Sequence, residues 1–412
     1  MQSNSESPKN NGKADKVSLI AASLLFCTTL SWFYIFHSYL LDTILQNTGN
    51  EFFISIAKLL FYSFLVLSGL IGSLVSEKVD RRRFLFAWLL LGAFTIITPT
   101  FFQGIVFYML FSILLGISFG LGFPSVQGFL TDSTNFERRG RISGIIVFLF
   151  FSIVVAVLLF ANFSGLGATE LLLVCETLSV LGFLALLVSP CRREKGATLS
   201  LVGTLKSRSF ASYAVPWLIF NIANGMLAFA KFTSDIEAVR VFGSAIEFLA
   251  TIIAALVAGF LADRYGRKQP LLIGLVALGV GYALLGLVSS AATYLLYVTV
   301  EGAAWGLIVV SYMLVILGDL SSQFGSKEKF YALGGIMIPF LTRTIFVEIQ
   351  GLTGFTLAGN YLTTMLSIVT FISVIPVLRA PETLPADKIS EKKMRDHLKK
   401  VSKLLQESKK HK

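Results

Sequence analysis

Six ionisable residues interrupt runs of the chain that are otherwise apolar: His37, Lys58, Glu176, Glu247, Glu301 and Arg343. On insertion scales a charge at the centre of a lipid-facing helix costs about 2.5–3.5 kcal/mol, so each such side chain needs a polar refuge. Three acids, two permanent bases and a histidine can form ion pairs, bind a polar solute or carry protons. A carboxyl group in a poorly hydrated site can hold a transferable proton, which makes Glu247 and Glu301 the first candidates for proton coupling. Glu176, His37, Lys58 and Arg343 are then solute ligands or counter-charges. Pairing between helices explains any single member equally well, and His37 also fits a hydrogen-bonded packing residue. Asn221 and Asn224, three apart near Pro216, suit a binding wall or interhelical hydrogen bonds. Trp305 beside Gly306 suits a stacking surface or plain packing.

The elements that carry these residues follow from composition. With 55% hydrophobic and 14% charged residues, against about a quarter charged in soluble chains, the expected solvent is the bilayer. A spanning helix needs roughly 20 mainly apolar residues. Stretches bounded by charge, Gly or Pro give twelve spans, at 17–42, 51–76, 84–100, 105–131, 141–161, 169–190, 211–233, 238–262, 269–289, 292–317, 330–350 and 354–378. Counted from the span ends at about 1.5 Å per residue, the six ionisable residues share one slab roughly 7–14 Å below the outer surface. The expectation is that they line a central cavity, as an outer gate of ion pairs, a polar solute pocket, or both.

Lys and Arg accumulate in cytoplasmic loops. All 35 of them except Lys58, Lys231, Arg240 and Arg343 fall in the two termini or in alternate loops, so both termini are expected in the cytoplasm. This asymmetry accounts for the formal charge of +11. It calls for anionic lipid at that face and gives no reason to invoke nucleic acid. Residues 1–16 read as a disordered tail, 17–190 and 211–380 as two six-helix bundles, and 191–210 as the linker between them. In 381–412, Met394, Leu398, Val401 and Leu405 recur as on an amphipathic helix, next to the alternative of a frayed tail. The first apolar run is too long for a signal core. Cys27, Cys175 and Cys191 lack metal-ligand spacing and read as packing residues.

The loops add a repeated pattern. Gly259-Phe260-Leu261-Ala262-Asp263-Arg264-Tyr265-Gly266-Arg267-Lys268 joins two spans, and a worn copy starts at Gly72 and keeps Glu77 and Arg81 if one residue has been inserted. Gly116 and Gly120 recur as Gly302 and Gly306, and Asp132 as Asp319, at nearly the same offset. Halves that repeat are how many transporters are written. The loop resembles the signature of the major facilitator superfamily of secondary transporters, and Glu137-Arg138-Arg139-Gly140-Arg141 is similar to its Arg-Gly-rich loop. The resemblance implies an all-α membrane protein of twelve helices in two pseudo-symmetric bundles, working by alternating access. It also implies a cytoplasmic gate in which Asp263 and Arg267, with Gly259, Arg264, Gly266 and the copy at Gly72, Glu77 and Arg81, make contacts that break on inward opening.

Departures from the family limit the substrate. Pro381-Glu382-Thr383 is similar to the ending of sugar porters, but their companion motif is missing from Ser189-Pro190-Cys191-Arg192-Arg193. Where many drug–proton antiporters carry Arg in the fourth helix this chain has Ser112, and residues 145–160 hold neither Gly nor Pro. Sugar or metabolite symport and drug export therefore both stay open. The expected partners are a small organic solute and protons, and a monomer suffices. The chain lacks a phosphate-binding Gly-Lys-Ser/Thr loop and shows no zinc set or nucleophilic triad, so no enzyme, cofactor or metal site is expected. A receptor-like membrane protein that binds without flux is the alternative.

Overall fold

In a computed structural model, residues 11–46, 49–189, 191–193, 196–322 and 324–385, with 390, 394, 398 and 401, are described. Among the described residues twelve helices are long and apolar enough to cross a membrane: α1 (Lys16–Gln46), α2 (Glu51–Ser76), α3 (Arg81–Thr100), α4 (Ile105–Ser133), α5 (Phe136–Ser164), α6 (Ala168–Val188), α7 (Arg208–Phe229), α8 (Ser234–Tyr265), α9 (Lys268–Leu287), α10 (Ala291–Ser321), α11 (Lys327–Thr353) and α12 (Gly359–Arg379). Each matches an expected span, and their ends have local causes. The side chains of Asn50, Asp80, Ser207 and Ser290 cap α2, α3, α7 and α10 by accepting backbone N–H groups left free in the first turn. Left-handed glycines stop α5 at Gly165 and α11 at Gly354. Strand β1 (Ala230–Lys231) pairs in parallel with β2 (Leu357–Ala358), so α12 starts at Gly359 rather than at 354.

Two features differ from expectation at the ends. Helix begins at Asn11, inside the segment read as a disordered tail, and the linker holds a short helix, Leu201–Lys206, capped by Ser200. Met394, Leu398 and Val401 are helical and exposed, while residues 1–10 and Leu405 lie outside the described residues. Large apolar side chains such as Phe163, Val241 and Leu287 face outward, which suits a lipid surrounding.

One apolar cluster fills the first six helices and runs across the junction into Ala255, Ala258, Leu314 and Ile336 of the second set, and a second cluster lies within the second set. The glycine repeat does the same work in both. Gly116 and Gly120 bring α4 onto the carbonyls of Phe61 and Leu65 in α2, and Gly302 and Gly306 bring α10 onto those of Glu247 and Thr251 in α8. A side chain at any of these four positions would collide with backbone. Between the sets, α5 meets α8, where a Cβ at Gly140 would lie 2.6 Å from the Gly259 carbonyl and one at Gly144 2.6 Å from that of Ala255. On the other flank α2 meets α11.

Helix α11 is wound unevenly. It carries π turns at Ala332–Met337 and Thr344–Glu348, and α1 and α10 carry others at Phe36–Leu40 and Val310–Ile316. A π turn leaves one carbonyl to find its donor five residues on. For Gly334 that residue is Pro339, which has no N–H. The Trp217 indole of α7 donates to the Gly334 carbonyl instead, at 2.8 Å.

Candidate functional site

The basic face, where the Lys- and Arg-rich loops lie, is closed by two mirrored clamps. Asp132 at the end of α4 accepts from Arg81 of its own half at 2.6 Å and from Lys327 of the other half. Asp319 at the end of α10 accepts from Arg267 of its own half at 3.1 Å and from Arg139 of the other at 2.5 Å. The acid and base of the stronger loop copy are both here. Arg267 is fully buried and bridges Asp263 and Asp319, while Asp263 also accepts the Gly140 and Arg141 N–H groups at the start of α5, at 2.9 and 3.0 Å. Glu77 of the worn copy takes the matching place, paired with Lys329 at 2.8 Å. Glu328 joins Arg81 and the linker residue Arg193, both at 2.8 Å.

Other motif residues serve the turn itself. Gly266 has φ +113, a backbone open to glycine at little strain, and Arg264 lies over the rings of Phe260 and Tyr265. Gly72 packs against Leu121 of α4 within its own half, unlike Gly259, because the inserted residue turns it away from the junction. Past α12, Glu382 accepts the Arg267 and Lys268 N–H groups at the positive start of α9, at 2.9 and 3.3 Å. Thr383 donates to Asp319 at 3.0 Å. Sequence reasoning quoted Arg139, Arg193 and Glu382 but gave them no gate role, and it missed Lys327, Glu328 and Lys329. The half-chain offset, which sets Asp319 opposite Asp132 and places Lys327 within a residue or two of the position matching Arg139, was the available signal.

Toward the opposite face the six intramembrane groups do not form one cluster. His37 Nε2 and Arg343 Nε each lie 2.7 Å from the Tyr62 hydroxyl, which joins α1 and α2 to α11 across the halves. Arg343 stands 4.0 Å from buried Glu348, and Lys58 pairs with Asp42 at 2.5 Å. Glu247 and Glu301 form a separate group within the second half, close enough to interact. Neither has an ion-pair partner among the described residues. Tyr34 of α1 packs edge-on against Phe248, next to Glu247, with ring centroids 5.9 Å apart, and also interacts with Arg343. Glu176 belongs to neither: α6 packs on α1 and α3 and not on α8 or α10, and although it touches the Phe36–Leu40 turn, no interaction of Glu176 with His37 is found among the described residues. The expectation of one slab is corrected on this point: equal depth does not place residues on the same side of a bundle.

The amide and aromatic candidates are partly used internally. Asn221 donates to its own helix at Trp217 O, at 2.7 Å, while Asn224 is half-buried. Trp305 packs edge-on against Phe220, with ring centroids 4.8 Å apart. Sequence reasoning missed Gln127, a fully buried amide of α4 with no hydrogen-bond partner among the described residues, which faces Gly335 of α11. It also missed Tyr62, Trp217 and Tyr312. Replacing Trp217 with Phe keeps its stacking on Tyr312 but strands the Gly334 carbonyl, which should cost about 1–3 kcal/mol as a lower thermal midpoint of the purified protein. Cys27, Cys175 and Cys191 are free and buried. Burial pushes the Cys191 thiol up to about 11, which leaves little reactive thiolate.

Among curated proteins, none matches this sequence. A search of solved structures finds the MFS (major facilitator superfamily) proton:xylose symporter XylE bound to 6-bromo-6-deoxy-D-glucose, at 13% identity and a TM-score of 0.69, covering 90% of this chain and 97% of that one. At that identity the likeness establishes the fold. The family model of the Major Facilitator Superfamily matches residues 21–317, and the chain belongs to that superfamily, as a multi-pass secondary transporter rather than an enzyme.

Proposed function

We propose that this transporter moves a small organic solute across the cell membrane by alternating access, with protons as the coupling ion and the basic face in the cytoplasm. The observation that carries the coupling is the Glu247–Glu301 pair. Two carboxyl groups interact inside the membrane where Gly302 brings α10 onto α8 at Glu247, with no ion-pair partner among the described residues, and such a pair can hold a shared, exchangeable proton. The structural neighbour's description as a proton:xylose symporter is in keeping with this reading. The His37–Tyr62–Arg343 bridge serves as the outer gate and the mirrored clamps at Asp132 and Asp319 as the inner one. Between them, Gln127, Asn224, Tyr312 and Tyr34 offer neutral donors and acceptors for a polar solute. One chain supplies both halves, so a monomer suffices, with anionic lipid against its basic loops.

The test is reconstitution into liposomes containing a pH-sensitive dye, with sugars, organic acids, peptides and amphipathic drugs supplied one at a time. At least one class should drive proton movement that empty liposomes do not show. Tight solute binding without flux of solute or proton would favour a receptor instead.

A further inference from the structure

Below the face opposite the basic one, a cavity of about 450 Å³ opens between the loops of the second half, lined by Lys231, Phe232, Thr233, Ser289 and Asn360 among others. The Phe232 ring lies 6.1 Å from that of Tyr294, and Tyr294 lies 6.2 Å from Tyr297. Tyr294, Tyr297 and Glu301 follow one another along a single stripe of α10, at the spacing of successive turns. Tyr282 of α9 stacks on Tyr297 at 5.5 Å. Tyr282 and Tyr297 are 0% and 1% exposed, and among the described residues neither hydroxyl has a partner at hydrogen-bond distance. Both phenols interact with Glu301, a carboxyl that has no ion-pair partner among the described residues.

We infer that protons reach Glu301 from the outer surface through this tyrosine stripe, inside the second half, and not through the passage between the halves. The inference rests on the proposed role of the Glu247–Glu301 pair. A proton arriving at the Tyr294 oxygen forms a new O–H bond there as the former phenol proton passes to Tyr297. The Tyr297 proton passes in turn to the Glu301 carboxylate, and each phenol ends neutral. Tyr282 supports the middle step from α9. The groups acting on this route are Glu247, Arg240 and Glu237 of α8, which bear on Tyr294, and Glu247 again on Glu301. A route separate from the solute passage lets the carboxyl pair load while the solute site is closed.

The test follows deuteration of the carboxyl infrared band of the full-length purified protein after transfer into D2O, with the Glu301 band identified as the one that Glu301→Gln removes. Tyr297→Phe and Tyr282→Phe keep the stacked rings and remove only the hydroxyls. Each should slow deuteration of that band at least tenfold, while Tyr34→Phe, on the side toward the first half, should leave the wild-type rate. Unchanged rates in both variants, or slowing by Tyr34→Phe alone, would overturn the route and leave the carboxyl pair standing. Absence of any band removed by Glu301→Gln would overturn the route together with the coupling role of the pair.

Discussion

Asp319→Asn should unlock the basic face. Arg139 and Arg267, with side chains 3% and 0% exposed, converge on this one carboxylate from opposite halves. Arg267 retains Asp263, but Arg139 keeps only hydroxyl and carbonyl partners such as Ser322 and Thr131. Breaking a buried pair by removing one partner costs about 3–5 kcal/mol, mostly because a charge is left uncompensated. If that falls on the closed state, the balance between closed and open shifts by on the order of a hundredfold or more. The check is alkylation of a cysteine placed at Ser125, which is buried in α4. The rate should rise by about that factor when Asp319→Asn is added. Asp132→Asn should act more weakly, since Arg81 keeps Glu328. Equal, unaltered rates in both variants would show that the clamps do not hold the face shut.

Glu301→Gln should separate solute movement from the proton gradient. Gln has nearly the shape of the protonated acid and cannot release its proton, so the pair loses its exchangeable charge. Once a solute class is in hand, gradient-driven accumulation in liposomes should fall at least tenfold while solute exchange across the same membrane persists. Glu247→Gln should give a smaller loss, because Glu301 is the more deeply buried of the two and remains ionisable. Full accumulation by Glu301→Gln would remove the coupling proposal.

Much of the architecture was legible before any coordinates. Apolar run length fixed the twelve spans because the bilayer imposes one length on all of them, and α2 was read with its final bounds. The glycine repeat marked where α4 sits on α2 and α10 on α8, since only glycine lets two backbones approach so closely. The site was less legible. Depth along a helix can be counted, but rotation about the bundle axis cannot, and for that reason Glu176 was grouped with residues it does not meet. Partners such as Tyr62 for His37 and Arg343, or Arg139 for Asp319, are far apart in sequence and of ordinary residue type. The π turn that leaves the Gly334 carbonyl to Trp217 has a legible half, Pro339, but its winding depends on packing between helices.

The central claim is that the two halves rock about a central site, held shut at the basic face by the mirrored clamps. It is tested most directly by the distance between spin labels at Arg83 and Gln269, exposed residues at the starts of α3 and α9 in opposite halves, with the three native cysteines replaced. Wild type should show a short, dominant distance, and Asp132→Asn with Asp319→Asn should shift most of the population to a second, longer one. A single unchanged distance in both proteins, across pH and in the presence of any transported solute, would contradict the account.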